Sequence, residues 1–269
     1  MDRTFFLGVA VAVAIIFFAA ALSQNLLKNP AAPVDRETLY QVSTIDALMQ
    51  GVYDGVQPFS EVKRHGDFGI GTFEALDGEM IALGGDYYQV RSDGIAYPVS
   101  DAMTTPFATV TFFEPDMRIT ADRQMNYTVL STYLSAHLPS QNMVYAIRIN
   151  GTFPTLQVRS VPRQAPPYLP LTAAVANQTV FVYSGAKGTV AGFFMPQFFK
   201  GFNVPGYHLH FISDDRTTGG HVLDMTVEEG TATELDITPG FAMSLPTRGA
   251  FAGADLSQDL SADLAKVER

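Results

Sequence analysis

The sequence predicts a β-rich α/β (α+β) protein built from two mixed or antiparallel β-sheet domains with a few short helices. Hydrophobic residues make up 47% of the 269 residues and aromatic residues 12%. That is enough for an extensive core, and it excludes wholesale disorder. The 22 glycines and 16 prolines are spread between short apolar runs, which is typical of many short strands joined by turns.

The first 34 residues are predicted to be a leader and linker that stand apart from the fold. One arginine, Arg3, precedes an unbroken apolar run over residues 5–22, and polar and small residues follow it. This is the pattern of an export signal, so we expect a periplasmic or secreted protein. The run is also just long enough to span a membrane. An uncleaved N-terminal membrane anchor is therefore the alternative.

Residues 35–161 are predicted to form the first β-rich domain. A capping Thr44 and a closing Gly51 delimit a short helix, and the apolar spacing over 126–138 predicts a second, amphipathic one. The pair Asn150-Gly151 predicts a hairpin turn between two strands. The predicted strands of this domain are 68–73, 79–83, 87–90, 107–113, 143–149 and 153–161.

A proline-rich stretch, 162–170, is predicted to link this domain to a second one over 171–269. The end of the second domain is polar and charged, with leucines spaced so that they predict a short helix over about 256–264. The predicted strands of this domain are 179–183, 188–194, 207–212, 221–228 and 231–237.

Three of the five histidines lie close together in the second domain. His208 and His210 are two residues apart on a predicted strand, so their rings point to one face. His221 opens the next strand, and a hairpin would bring it back beside them. Three neutral imidazoles in that arrangement predict a tripod for Zn²⁺ or a similar metal, with open positions for water or substrate. The alternative is three core or surface histidines without a shared ligand, as we read His65 and His137.

Three further polar residues could take part in chemistry. Arg159 lies in an apolar strand, and a buried arginine needs a carboxylate or another anion as its partner. A structural salt bridge would satisfy it equally. From the residues alone, Glu79 beside a turn would be solvated surface, and Glu268 near the end of the sequence would be a frayed terminus.

Charge and cysteine content exclude some classes of function. The formal net charge is −10 and there is no basic cluster, so the chain lacks the electrostatic footprint of a nucleic-acid-binding protein. With no cysteine, neither a disulfide nor a thiolate metal site can form.

Several segments, in order and with compatible spacing, resemble the alpha-acetolactate decarboxylase family. They are GIGTFEALDGEM at 69–80, DYYQVRSDG at 86–94, TLQVRS at 155–160, GYHLHFISDD at 206–215 and GGHVLD at 219–224. The resemblance extends from about residue 38 to the end of the sequence. It implies a two-domain β-rich α/β fold, usually dimeric, with its metal site between the domains. It also implies that 2-acetolactate is converted to acetoin and CO₂.

The resemblance further implies roles for individual residues. It makes the three clustered histidines the zinc ligands, and Glu79, Arg159 and Glu268 the polar residues of the active site. The metal would act as a Lewis acid for the enediolate left when CO₂ departs. Neither thiamine diphosphate nor pyridoxal phosphate is then expected, and 2-aceto-2-hydroxybutyrate is a second candidate substrate.

Two other functions fit parts of the sequence. The HxH pattern followed by Asp214 and a later histidine imitates a cupin-like mononuclear iron oxygenase, although the glutamate and the distant second histidine motif of cupins are not well matched. A non-catalytic, exported metal-binding β-domain is the other alternative.

Overall fold

The computed structural model describes residues 35–268, and the described residues from Arg36 onward belong to one compact unit. The expected leader over residues 1–34 lies outside the described residues. Among the helices that are described, none combines the length and apolar character needed to cross a bilayer. The β-rich fold class with few short helices is confirmed.

The strands and helices are numbered in chain order. The strands are β1 Thr38–Val42, β2 Gln57–Pro58, β3 Phe68–Thr72, β4 Glu79–Leu83, β5 Asp86–Val90, β6 Ala96–Pro98, β7 Thr104–Thr105, β8 Ala108–Thr111, β9 Met117–Thr120, β10 Met125–Asn126, β11 Tyr145–Ser160, β12 Thr179–Met195, β13 Gly206–Ser213, β14 Gly219–Val227, β15 Ala232–Ile237 and β16 Gly240–Ser244. The α-helices are α1 Ile45–Met49, α2 Phe59–Val62, α3 Tyr127–His137, α4 Leu171–Ala174 and α5 Ser261–Val267.

The first sheet is mixed and has seven strands in the order β16-β1-β8-β3-β4-β5-β6. Only its β1–β16 pair is parallel. The predicted meander forms its centre, because β3, β4 and β5 pair antiparallel in succession. The turn before β4 fixes where that strand starts, and with it the position of Glu79.

The second sheet has seven antiparallel strands in the order β10-β14-β13-β12-β11-β15-β9. In addition, β14 pairs with β11, so the strands β11, β12, β13 and β14 close into a ring. This closure brings side chains of β11, β13 and β14 together. The clustered histidines lie on β13 and β14.

Two of the predicted breaks between strands are wrong. The stretches 143–149 and 153–161 belong to one strand, β11, and 179–183 and 188–194 belong to one strand, β12. Instead of turning, Asn150 and Gly151 pair with Thr189 and Gly188. The Thr189 hydroxyl donates to Asn150 Oδ1 at 2.8 Å. The long partner strand therefore outweighs the local preference for a turn, as is common in sheets, where context decides.

The sheets do not follow the predicted boundary at 162–170. Strands β9, β10 and β11 precede that stretch but belong to the second sheet, whereas β16 follows it but belongs to the first. Strands from before and after this stretch thus pair within each sheet. The division of the chain into two domains at 162–170 stays a prediction.

The faces of the two sheets share an apolar cluster. Phe68, Ile70 and Ile81 from the first sheet and Phe193 and Ile212 from the second are among its fully buried members. This cluster packs β4 against β13.

The two helices predicted for the first domain begin as predicted. The Thr44 side chain accepts from Ala47 N at 3.2 Å and starts α1, and Asn126 Oδ1 accepts from Val129 N at 2.9 Å and starts α3. The tail helix, α5, is shorter and later than the leucine spacing predicted. A second apolar cluster joins α1, α4 and α5 beside the histidines.

Candidate active site

The three clustered histidines converge. His208 and His210 lie on β13, and His221 on β14 is directly opposite His210 in the register. The ring centroids are 5.0, 5.1 and 5.3 Å apart. One ligand atom from each residue lies within 4.8 Å of the others. The hairpin geometry expected from the sequence is therefore present, and the three rings face a common point.

Burial keeps these imidazoles neutral. His210 and His221 are 1% and 2% exposed. Burial, with the positive charge of Arg159, lowers the pKa of His208 to about 3, and burial likewise holds the pKa values of His210 and His221 well below the ordinary value. Neutral imidazole is the form that binds a metal ion.

A backbone contact sets the orientation of the His210 ring. Its Nδ1 lies 2.9 Å from the Met80 carbonyl oxygen. A carbonyl can only accept, so Nδ1 carries the proton and donates it. The lone pair of Nε2 is then free to face the cavity, which is the outer hydrogen bond typical of metal-ligating histidines.

Buried nitrogen atoms without partners mark the centre of the site. His210 Nε2 and both ring nitrogens of His221 have no hydrogen-bond partner in the structure. A buried polar atom without a hydrogen-bond partner costs free energy. A bound ligand that contacts these nitrogens would remove that cost. Three neutral nitrogen donors around one point fit a divalent cation that keeps other positions open.

Two carboxylates lie close to the histidines. Glu79 Oε2 is 3.7 Å from His210 Nε2, and Glu268 Oε2 is 3.8 Å from Nε2 of both His208 and His221. These contacts with neutral rings are too long for hydrogen bonds. Burial raises the pKa of each carboxyl to about 7, and the charge of Arg159 opposes the shift. Each group can therefore gain or lose a proton near neutral pH.

Arg159 supplies a buried positive charge. It lies on β11, directly opposite His221, and is 4% exposed. Its Nε has no hydrogen-bond partner. A fixed guanidinium with a free donor, next to three histidines that could hold a metal ion, is suited to hold an anion.

Two glycines permit this arrangement. At Gly220, with φ +146°, a Cβ would lie 2.5 Å from the Arg159 carbonyl oxygen. At Gly78, with φ +87°, a Cβ would collide with the Val90 backbone. The first lets β14 approach β11 beside His221, and the second makes the turn that leads into Glu79.

The rest of the cavity wall is mainly apolar, and sequence reasoning did not identify it. The additional lining residues are Ile45, Leu48, Gly71, Thr72, Leu76, Phe107, Val161 and Leu171. In the sequence these residues cannot be told apart from other core residues, because only the folded structure brings them together around the cavity.

The two remaining histidines lie elsewhere. His65 stacks on Tyr40 with ring centroids 3.8 Å apart, and its Nε2 is 3.1 Å from Glu61 Oε1. His137 is exposed at the end of α3. Both serve the packing or surface roles expected of them.

This fold and site define a β-rich protein with a buried cluster of three histidines that could hold a metal ion. Comparison with known proteins gives the family. Residues 39–258 match the sequence model of the family described as Alpha-acetolactate decarboxylase. The chain belongs to the alpha-acetolactate decarboxylase family.

Similar proteins support this assignment along most of the chain. An alpha-acetolactate decarboxylase of Methanosarcina mazei is 55% identical over 87% of this chain and 81% of its own length. One from Methylococcus capsulatus is 45% identical over 87% of this chain and 89% of its own. The crystal structure of the enzyme from Bacillus subtilis strain 168 superimposes with a TM-score of 0.83 at 41% identity, covering 86% of this chain and 99% of that one.

Proposed function

We propose that this protein decarboxylates 2-acetolactate to acetoin and CO₂, with 2-aceto-2-hydroxybutyrate as a second substrate. Family membership and relatives named alpha-acetolactate decarboxylase support the reaction. The single observation that carries the proposal is the set of three buried neutral imidazoles, with unpaired nitrogens, beside the buried Arg159. That pairing matches a substrate with a carboxylate and two neighbouring oxygens.

His208, His210 and His221 would hold the metal, which we propose to be zinc. Nitrogen donors in a three-residue set with open positions favour zinc among the common divalent ions. When bound, the ion supplies a Lewis acid for the negative charge that develops on oxygen as CO₂ leaves. This chemistry requires neither thiamine diphosphate nor pyridoxal phosphate as an electron sink.

Arg159 would position the substrate carboxylate. Its guanidinium stays charged at any physiological pH, so it orients the anion rather than donating a proton. Holding the carboxylate away from the imidazoles leaves the ketone and hydroxyl oxygens to face them.

Glu79 and Glu268 would handle the protons. As CO₂ leaves, the electron pair of the broken bond moves to the neighbouring ketone oxygen, so the enediolate forms with the hydroxyl proton still in place, and the carbon that carried the carboxylate must then gain one proton to give acetoin. With both pKa values near 7, one carboxyl group in its protonated form can donate this proton and take another from water, while the other, ionised, accepts a hydrogen bond from the substrate hydroxyl. The apolar wall around Leu48 and Leu171 would take the methyl groups and exclude water.

We also propose that the enzyme is exported and acts as a homodimer. The apolar run over residues 5–22 supports export, with anchoring in the membrane by the same run as the alternative. The dimer rests on the family resemblance. Both could be checked on the native host, by fractionation and by light scattering of the mature protein.

The deciding experiment is metal analysis combined with an acetoin assay on protein lacking residues 1–34. We expect about one bound zinc per chain, with CO₂ and acetoin released from racemic 2-acetolactate without oxygen. Oxygen consumption coupled to turnover would instead favour the cupin-like oxygenase. Bound metal without CO₂ release would favour a non-catalytic metal-binding domain.

A further inference from the structure

Glu268 is carried differently from the other polar residues of the cavity. His208, His210, His221, Arg159 and Glu79 all lie on paired strands. Glu268 instead follows α5, whose C-terminal end it caps. Its side chain is 14% exposed, compared with 10% for Glu79 and at most 9% for the histidines. Glu268, at the end of α5, is therefore the most exposed of these polar side chains.

A groove on the protein surface meets the cavity at this point. It runs between α5 and residues 197–205, and Asp46, Lys200, Val204 and Leu264 are among the residues that line it. Glu268 lines both this groove and the histidine cavity. One side chain and the end of one short helix thus separate the buried centre from the surface.

The attachment of α5 is weak. It has seven residues and no side-chain hydrogen bond at its N-terminal cap, and a helix this short is not stable on its own. Leu264 and Val267 hold it by packing into the apolar cluster that contains Leu48 and Leu171. On the surface, just before α5, Asp259 Oδ2 forms an ion pair with Lys200 Nζ at 2.8 Å. Both side chains are exposed, so this pair contributes little to the stability of the helix position.

The other two helices on the cavity wall are more tightly constrained. α1 follows directly on β1, and α4 lies between the long strands β11 and β12. Displacing either would disturb paired strands. By contrast, α5 is joined to the last strand, β16, by residues 245–260, which contain no strand. It can therefore move without breaking sheet hydrogen bonds, as low-stability local elements do.

We propose that residues 245–268 form a lid over the cavity, and that the substrate enters and the product leaves along the groove when α5 lifts. Closing the lid seals the cavity and places Glu268 beside His208 and His221 in one movement. Leu264 and Val267 are positioning residues that act through Glu268. The proposal rests on the proposed function, since it describes how the substrate of that reaction reaches the site.

The chain contains no cysteine, so a cross-link can be placed across the lid without background. In the double variant Lys200→Cys/Asp259→Cys, a short bis-maleimide with a reducible spacer would pin the lid shut. We expect turnover to fall by at least about tenfold, and to return on reduction, because opening limits access. Cross-linking should also slow the loss of metal to a chelator. The singly substituted Asp259→Cys protein, treated with the same reagent, is the control and should behave like the unmodified chain.

A second variant tests the opposite change. Leu264→Ala should loosen α5, so its amides should exchange hydrogen several-fold faster while those of β13 and β14 do not. We expect kcat to fall with the metal content unchanged, and Leu264→Met to restore it. Lys266→Ala, which alters an exposed residue of the same helix, is the matched control.

Wild-type turnover separates failure of this proposal from failure of the proposed function. If the wild-type protein forms no acetoin, the function assignment fails, while chelator access and hydrogen exchange still report on the lid. If it turns over and the cross-linked protein keeps the same kcat/KM and the same rate of metal loss, the lid is refuted. Unchanged exchange of α5 in Leu264→Ala would refute the positioning role.

Discussion

The two sides of the cavity are built on different principles. On one side, strands β11, β13 and β14 carry the three histidines and Arg159 in fixed register. On the other side, the short helices α1, α4 and α5 contribute apolar side chains and Glu268. The strand side is held by backbone hydrogen bonds between paired strands, and the helix side mainly by side-chain packing.

Because of this difference, the strands determine the positions of the histidine nitrogens, and the helices determine whether a substrate can reach them. A cation site requires its donors to be held within a few tenths of an ångström, and closed strand pairing supplies that rigidity. A substrate must also be able to reach a buried centre, and packing contacts can open without unfolding the sheets. Changes on the strand side should therefore affect metal binding, whereas changes on the helix side should affect turnover.

The largest expected effect comes from removing a donor on the strand side. His208→Ala should lose both bound metal and activity, down to the background rate, because two imidazoles cannot replace a three-donor site. Metal analysis and an acetoin assay on the purified variant would measure this. The control is His137→Ala, which alters an exposed histidine at the end of α3. Stoichiometric zinc with full activity in His208→Ala would contradict the tripod.

On the strand side, we expect Arg159 to serve substrate binding rather than metal binding. Arg159→Ala should keep its metal, because the histidines remain, but kcat/KM should fall about 10²- to 10³-fold as the fixed charge is lost. Arg159→Lys should recover part of the loss, since it keeps the charge without the planar fork. Loss of metal from Arg159→Ala would show instead that the arginine has a structural role at the centre.

The strand side was also the more predictable side from sequence. The spacing of His208, His210 and His221 is a local signal, because strand periodicity and one hairpin suffice to bring them together. The meander of β3, β4 and β5 is equally local, and so is the capping of α1 by Thr44, the one such signal on the helix side. Each depends on neighbours within a few residues, and each is present in the structure.

Non-local pairing set the limits of prediction. Asn150-Gly151 is a good turn sequence, but in the structure both residues pair with β12 as part of a continuous strand. No pattern in the neighbouring residues indicates this pairing. The parallel pairing of β16 with β1 joins residues some two hundred positions apart. The position of Glu268 beside the histidines was suggested only by family resemblance, because a residue near the end of a charged tail has no local signal of burial.

A smaller effect would test how closely the strands must approach. Gly220→Ala places a Cβ where the Arg159 carbonyl oxygen lies 2.5 Å away, at a φ of +146° that side chains rarely adopt. We expect the free energy of unfolding to fall by about 2–4 kcal/mol, and metal affinity to weaken because His221 shifts. Thermal unfolding and metal titration would measure both. Gly253→Ala, where a Cβ meets nothing within 4 Å, should leave both unchanged.

The smallest effect concerns a buried carboxyl on the strand framework, away from the cavity. Asp236 on β15 is 4% exposed, and its Oδ2 accepts from Glu114 N at 3.2 Å. Burial raises its pKa to about 7, the Glu114 backbone hydrogen bond opposes the shift, and the nearby charges of Asp116, Glu37 and Glu114 add to it.

The sign of the pH dependence follows from this raised pKa. The folded chain binds the proton more tightly than the unfolded chain, so the stability that Asp236 contributes is complete below about pH 4 and is lost as the pH rises through 7. Asp236→Asn keeps an acceptor for Glu114 N and removes the charge. It should stabilise the protein by about 1–2 kcal/mol at pH 8. This is less than the full pKa shift would give, because water and side chains rearrange around a buried charge. At pH 4 the folded chain already carries the proton, so the substitution should change the stability by almost nothing. Thermal unfolding at the two pH values would measure the difference, with Asp122→Asn on the surface as control. An equal gain at both pH values would show that packing, rather than charge, limits the stability of this part of the sheet.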